Sequence, residues 1–121
     1  MANQEVIGKG RGYEYHLIHE YVANIQKELN IHRLRSKWIE IKFVDDVNGN
    51  AGDCTGDTDE VDIRIDKTMS WNDQMITLAH EMVHAEQFLR ANTVSEVYAD
   101  LLEDKLFKTC YPEHALEYSN T

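Results

Sequence analysis

The feature that most constrains the fold is a stripe of apolar residues at helical spacing in the third quarter of the chain. The members of the stripe recur every three or four positions: Met75, Leu78, Ala79, Met82, Ala85 and Leu89. This spacing predicts a long amphipathic helix whose apolar side packs against another layer of the protein. Ser70, followed three residues later by Asp73, has the pattern of a capping box and predicts where the helix begins.

Two segments before this helix alternate apolar with polar residues, which predicts two half-buried strands. Their apolar members are Ile39, Ile41 and Phe43 in the first segment and Val61, Ile63 and Ile65 in the second. A polar connection, Asp45 to Glu60, is predicted to be a long loop with a short strand around Ala51 to Thr55. Helices are also predicted from Tyr13 to near Asn30 and from Val94 to about Lys108. The order of elements predicts an α+β fold with a small antiparallel sheet.

The length of 121 residues corresponds to one domain. Residues 1–12 are polar and rich in glycine, so we expect a flexible N-terminal arm without the pattern of a secretory signal. Residues 13–121 are then expected to form a single domain.

The charge balance excludes several classes of partner. Lys and Arg number 12 against 22 Asp and Glu, for a net charge of −10. An acidic chain lacks the basic face that binds nucleic acid or anionic lipid, so we expect neither partner. Cys54 and Cys110 are too few for a disulfide framework. We therefore expect a cytoplasmic protein, which fits a bacterial or phage source. The negative charge would attract basic peptides or a basic partner by long-range electrostatic steering.

The predicted long helix carries an H-E-x-x-H motif, His80-Glu81-Met82-Val83-His84. Histidines four residues apart lie about 40° apart around a helix axis, so both imidazoles can reach one ion. Zinc favours nitrogen ligands, and a catalytic zinc site has three protein ligands and a water. Glu81 lies beside the histidines and is placed to act as the general base toward a zinc-activated water. The alternative is a pair of surface histidines on an amphipathic helix.

A third protein ligand is needed, and Glu96 is the first candidate. The short break before Val94 would fold the last helix back and bring Glu96 towards the two histidines. Asp100, one turn later on the same face, could accept the remaining ring proton of a ligating histidine. His114, Asp100 and Glu86 remain alternative ligands. Glu96 also follows Thr93 by three residues, which is the pattern of a capping box. Alternatively, a solvated acidic face could consist of Glu96, Asp100, Glu103 and Asp104.

The motif and its surroundings resemble the zincin metallopeptidases. Leu78-Ala-His-Glu-Met-Val-His-Ala-Glu-Gln87, followed by Glu96-Val-Tyr-Ala-Asp100, is similar to the gluzincin kind, whose second motif is a Glu with an Asp four residues later. The stretch from Gly49 to Gln87 also resembles the SprT-like branch, in which a segment such as Ala51-Gly52-Asp53-Cys54 and a strand precede the zinc helix. No histidine stands between His84 and Glu96, where the SprT-like pattern would place one, so the subfamily stays open.

The resemblance implies a zincin-like fold and a zinc-dependent peptidase whose substrate is a peptide or protein. It implies that the peptide binds as an extra strand at a sheet edge, for which Ala51–Thr55 or Val61–Asp66 could serve. It also implies a Tyr or His that stabilises the oxyanion, with Tyr111 and His114 as candidates and Tyr98 expected in the core. The alternative function is a catalytically inactive zincin-fold module that binds metal and a protein partner.

Other residues with ligand chemistry fit their patterns less well. His16, His19 and Glu20 have ligand-compatible spacing, but helix-surface polar groups are the commoner case. The acidic loop between the strands fails the EF-hand template for calcium. Cys54 is expected to be a partly buried, inert cysteine rather than a zinc ligand.

Overall fold

The computed structural model describes residues 3–119, which form an α+β structure. Its elements are β1 (Asn3–Ile7), α1 (Tyr13–Glu28), β2 (Trp38–Val44), β3 (Gly52–Gly56), β4 (Glu60–Asp66), α2 (Trp71–Leu89), α3 (Glu96–Cys110), a 3₁₀ turn (Glu113–Ala115) and α4 (Leu116–Ser119). The alternating segments, the helix starting at Tyr13 and the helix that carries the motif are confirmed. No helix in this part of the chain combines the length and the apolar character needed to cross a membrane.

The four strands form a mixed sheet in the order β1-β2-β4-β3. β1 and β4 both run parallel to β2, and only β3 is antiparallel to its neighbour β4. The prediction of an antiparallel sheet is therefore wrong. α1 is a crossover that returns the chain to the starting edge, so β2 runs in the same direction as β1. Residues 45–59, with β3 among them, return the chain in the same way before β4.

Residues 3–7 are a strand and not part of a flexible arm, so that prediction is wrong for them; residues 1 and 2 lie outside the described range. Val6 is 3% exposed and is paired in register with Ile41 of β2. The side-chain amide of Gln4 donates to the carbonyl oxygen of His19 over 2.9 Å, which attaches the strand to α1. One buried apolar residue in five leaves too little pattern for a sequence-based prediction of this strand.

The core lies between the helices and one face of the sheet. The buried residues of β2 and β4 are the predicted ones, and they pair as Ile39 with Val61, Ile41 with Ile63 and Phe43 with Ile65. All six residues of the predicted stripe on α2 are buried. The hydroxyl of Tyr21 on α1 donates to the carbonyl oxygen of Met75 over 2.8 Å, which fixes α1 against the first turns of α2.

β3 is the edge strand, and it lies close to α2 because it begins with a glycine. A Cβ atom on Gly52 would lie 2.8 Å from Cγ2 of Thr77 on α2 and 2.9 Å from the carbonyl oxygen of Arg64 on β4. Both distances are shorter than a carbon atom tolerates, so a larger residue would push the strand away from the helix. The predicted strand around Ala51 to Thr55 is confirmed as Gly52–Gly56.

A tight turn after α2 directs the chain back along it. Asn92 N–H donates to Gln87 O over 2.8 Å and Ala91 N–H to Phe88 O over 3.0 Å, the two hydrogen bonds of a Schellman motif. Ala91 has φ of 57°, in the left-handed region. α3 then begins at Glu96, two residues later than predicted.

The N-cap of α3 is Ser95, whose Oγ accepts from the N–H of Tyr98 over 3.2 Å. The capping box predicted from Thr93 and Glu96 is therefore wrong. Glu96 occupies the first position of α3 with its carboxylate uncommitted to the cap. At the start of α2, Ser70 is the N-cap as predicted, and its Oγ accepts from the N–H of Asp73 over 3.2 Å.

Candidate metal centre

The two histidines of the motif lie one turn apart on α2 with their rings adjacent. The ring centroids are 4.9 Å apart, and the ring planes are inclined at 78°. The side chain of His84 is 5% exposed and that of His80 is 15% exposed. The alternative of two freely solvated surface histidines does not hold, because both rings are largely removed from water.

Glu96 faces both rings. Its Oε2 lies 3.0 Å from Nε2 of His80, and its Oε1 lies 2.8 Å from Nε2 of His84. One ligand atom from each of the three residues lies within 4.8 Å of the other two. Ligand atoms of a tetrahedral zinc site are about 3.3 Å apart when each is about 2.0–2.1 Å from the metal. The turn after α2 thus brings the first candidate for third ligand to the histidines.

Gln87 determines which nitrogen of His84 is free to bind a metal. The N–H of Ser95 donates to Oε1 of Gln87 over 3.2 Å, which identifies that atom as an acceptor. The same oxygen lies 2.9 Å from Nδ1 of His84, so Nδ1 must carry the proton that it accepts. The neutral ring then has its lone pair on Nε2, the nitrogen that faces Glu96.

Nε2 of His84 is buried and has no hydrogen-bond partner among the described residues, although Glu96 is close. When the ring is neutral, its unprotonated nitrogen and the carboxylate oxygen are both acceptors, so their contact at 2.8 Å requires a proton or a metal ion between them. A metal ion bound by both atoms would meet this requirement. The donor set of two imidazoles and one carboxylate is one that zinc uses in catalytic sites, so the residues fit the metal.

Carboxylates lie behind His80 as well. Oδ1 of Asp100 is 3.4 Å from Nδ1 of His80, and Oε2 of Glu103 is 3.8 Å from the same nitrogen. Asp100 lies where a residue that orients a ligating histidine is expected. Glu103 is not predicted as a ligand from the sequence. His80, Asp100 and Glu103 form a second group with ligand atoms within 4.8 Å, but it shares its histidine with the first.

Glu81 is 6% exposed and lies between the two histidines on α2. Its carboxylate makes no hydrogen bond or ion pair with the described residues. Burial raises the pKa of Glu81 to about 7, despite the opposing effect of His80 and His84. A carboxylate in such an environment is suited to accept and return a proton near neutral pH.

A cavity of about 480 Å³ opens above these residues. Glu81 and His80 of α2 line it, and so does Thr77 one turn before. Residues 50–52, where β3 begins, form another wall, and α3 contributes Glu96, Asp100 and Glu103. The volume falls within the range of about 300–1,000 Å³ that is typical of ligand sites.

The two predicted oxyanion-stabilising residues are elsewhere, so these predictions are wrong. Tyr111 is 4% exposed, and its hydroxyl accepts from Nε1 of Trp71 over 2.8 Å. Trp71 is nine residues before His80, about 13 Å along the helix. His114 is exposed, and its Nε2 lies 2.9 Å from Oε2 of Glu20 on α1, so it is not the third ligand either. Tyr98, expected in the core, is 45% exposed.

The remaining candidates have other partners. Oε2 of Glu86 lies 3.4 Å from Nε of Arg90, away from the histidines. His19 contacts Gln4 through Nδ1 over 3.0 Å, and no group of ligand atoms that includes His16, His19 or the acidic loop is found among residues 3–119. Burial raises the pKa of the Cys54 thiol far above its ordinary value, as expected of an inert cysteine.

Comparisons of the chain with models of known protein families, with curated proteins and with solved structures find no match. The geometry of the site and the motif are therefore the features that indicate a function. Gln87 is part of the site, but the H-E-x-x-H motif does not identify it. It follows His84 by three positions, which places it on the same face of the helix, and this spacing is the signal that identifies it.

Proposed function

We propose that the protein is a zinc-dependent peptidase with a zincin-like fold, in which His80, His84 and Glu96 hold the metal. The observation that best supports the proposal is that Oε1 of Glu96 lies 2.8 Å from Nε2 of His84, while Nδ1 of the same ring lies 2.9 Å from the acceptor Oε1 of Gln87. A bound zinc ion would lower the pKa of a water ligand to about 7 and polarise the scissile carbonyl group. Metal, motif and cavity then lie on the same side of α2.

In this proposal Glu81 is the catalytic base. Its carboxylate accepts a proton from the attacking water and passes it to the leaving amine. The pKa of about 7 allows both transfers near neutral pH, because neither protonation state of the group is strongly favoured. Gln87 and Asp100 act as positioning residues, each placed beside Nδ1 of one ligating histidine.

The proposed substrate is a peptide in extended conformation. β3 pairs with β4 on one side only, so its other edge can form main-chain hydrogen bonds with a further strand. Residues 50–52, at the start of β3, line the cavity together with Glu81. A peptide added at this edge would pass across the metal site.

The second candidate function is a metal-binding module without catalytic activity. The positions of Tyr111 and His114 favour it, because neither residue lies at the cavity to stabilise an oxyanion. We also propose a cytoplasmic location for the protein. Cys54 and Cys110 both have free thiols, which is typical of proteins in a reducing compartment.

The variant Glu81→Gln distinguishes the two functions. We expect zinc content close to that of the wild type and a fall in the rate of peptide hydrolysis by about 10²- to 10⁴-fold. The matched control is Glu86→Gln on the same helix, which removes a carboxylate paired with Arg90 outside the cavity. Glu86→Gln should keep its activity. Fully metallated wild-type protein that cleaves nothing in a broad peptide screen would favour the binding module.

A further inference from the structure

We infer, on the basis of the proposed peptidase function, that the cavity binds a lysine or arginine side chain of the peptide and that Glu103 selects it. The residues that line the cavity include four carboxylates, from Glu81, Glu96, Asp100 and Glu103, and no Lys or Arg. The other lining residues are residues 50–52, Thr77 and His80, which is a metal ligand in the proposed function. A cationic side chain would therefore meet no like charge from a lysine or arginine there.

The carboxylates exceed what a metal site needs. Glu96 faces the two ligating nitrogens, and Glu81 lies beside them; together their two charges would balance those of a zinc ion. Asp100, at 3.4 Å, is the carboxylate nearer to Nδ1 of His80, and in the proposed function it is the residue that orients that ring. Glu103, at 3.8 Å from the same nitrogen, is too far for a hydrogen bond. Its carboxylate is therefore not needed to orient the ring of His80.

Glu103 also lacks a cationic partner of its own. Its side chain is 28% exposed, and within the described part of the chain no Lys or Arg nitrogen is paired with it. By contrast, the neighbouring Asp104 forms an ion pair with Lys108 over 2.8 Å. A half-buried carboxylate beside other carboxylates is strongly stabilised by a cation that a ligand supplies.

A second observation indicates that this acidic cavity is a binding site and not a solvated acidic surface. Glu81 is 6% exposed, lines the cavity and has no hydrogen bond or ion pair with the described residues. A carboxylate this deeply buried is ordinarily paired. The cavity is thus lined on two sides by carboxylates, Glu81 on α2 and Glu103 on α3, that have no Lys or Arg partner among the described residues.

The test measures binding, so that it does not depend on turnover. The probes are fluorescein-labelled short peptides, alanine except for one Lys, Gln or Glu placed at each position in turn. Zinc-loaded Glu81→Gln protein is titrated with each peptide, and fluorescence anisotropy gives the Kd. We expect one position at which Lys binds about five- to tenfold more tightly than Gln and at which Glu binds more weakly still. The preference should weaken as salt is added.

Two variants in the same background test the role of Glu103. Glu103→Gln should abolish the preference for Lys over Gln, whereas Asp104→Asn should keep it. Asp104→Asn removes the same charge from the next residue of α3, where the carboxylate is paired with Lys108. Equal binding of Lys and Gln at every position, an equal loss of preference in Asp104→Asn, or no binding of any peptide would overturn the inference. Hydrolysis of the same peptides by wild-type protein is measured separately. A Lys preference without hydrolysis would reject the peptidase proposal and leave this inference standing.

Discussion

Replacing Gln87 with leucine should weaken zinc binding by about 10- to 100-fold, although Gln87 is not a ligand. Its Oε1 accepts the Nδ1 proton of His84 over 2.9 Å and so keeps the lone pair of Nε2 directed at Glu96. Leucine has a similar size and no acceptor. The ring of His84 could then adopt the other tautomer or turn, and either change removes the metal-binding nitrogen from its position.

The size of the effect follows from the hydrogen bonds that Gln87 makes. In Gln87→Leu, the buried Nδ1–H group of His84 has no acceptor. A buried donor without an acceptor costs about 1–3 kcal/mol. The wild-type protein avoids this cost only with the tautomer that leaves the lone pair on Nε2, facing Glu96. Without Gln87 the preference for this tautomer is lost. The expected 10- to 100-fold change in the Kd for zinc corresponds to a loss of about 1.4–2.8 kcal/mol in binding free energy. The N–H of Ser95 loses the same acceptor, so the free energy of unfolding should fall as well.

The assay is calorimetric titration of the metal-free protein with zinc in the presence of a competing chelator. Gln74→Leu is the matched control, because Gln74 lies on the same helix and both glutamines are 4% exposed. The amide of Gln74 donates to the carbonyl oxygen of Met69 over 2.8 Å, remote from the metal site. Gln74→Leu should lower the melting temperature without changing the Kd for zinc. An unchanged Kd in Gln87→Leu, or an equal change in both variants, would refute the role assigned to Gln87.

Three further predictions concern the elements around the site. Glu96→Gln should weaken zinc binding and leave the melting temperature of the metal-free protein nearly unchanged. Ser95→Ala should keep the zinc affinity but lower the free energy of unfolding by about 1 kcal/mol, because the helix cap is lost. Gly52→Ala should destabilise the protein by about 1–3 kcal/mol in denaturant titration, because the added Cβ would lie 2.8 Å from Thr77. Ala91→Gly should raise the melting temperature by a few degrees, since φ of 57° costs alanine about 1–2 kcal/mol, more than the chain entropy that glycine loses. Lower stability of Ala91→Gly would contradict that account of the turn.

Local patterns account for the parts of the fold that can be predicted from the sequence. The alternation in β2 and β4 and the stripe on α2 each bury one face, so the period alone identifies element and core. The direction of the strands depends on crossovers that no local pattern records. β1 has the same limitation, because its five residues are held by pairing with β2, more than thirty positions away, and only Val6 is fully buried.

In the candidate site, too, some residues can be predicted from local sequence patterns and others cannot. His80, Glu81 and His84 lie on one helix, and their relation follows from the helical repeat alone. Glu96 is predictable because the turn before α3 is short and reverses the chain. Tyr111 has the chemistry of an oxyanion donor but lies in the core, where its hydroxyl accepts from Trp71, and sequence distance does not reveal this.

The metal content of the purified protein decides whether His80, His84 and Glu96 bind one zinc ion. Protein prepared without chelator and supplied with zinc at neutral pH should contain about one equivalent per chain by elemental analysis. His84→Ala should lose the metal, while His114→Ala, which removes an exposed histidine paired with Glu20, should retain it. Wild-type protein with less than about a tenth of an equivalent, or equal zinc in wild type and His84→Ala, would contradict the account.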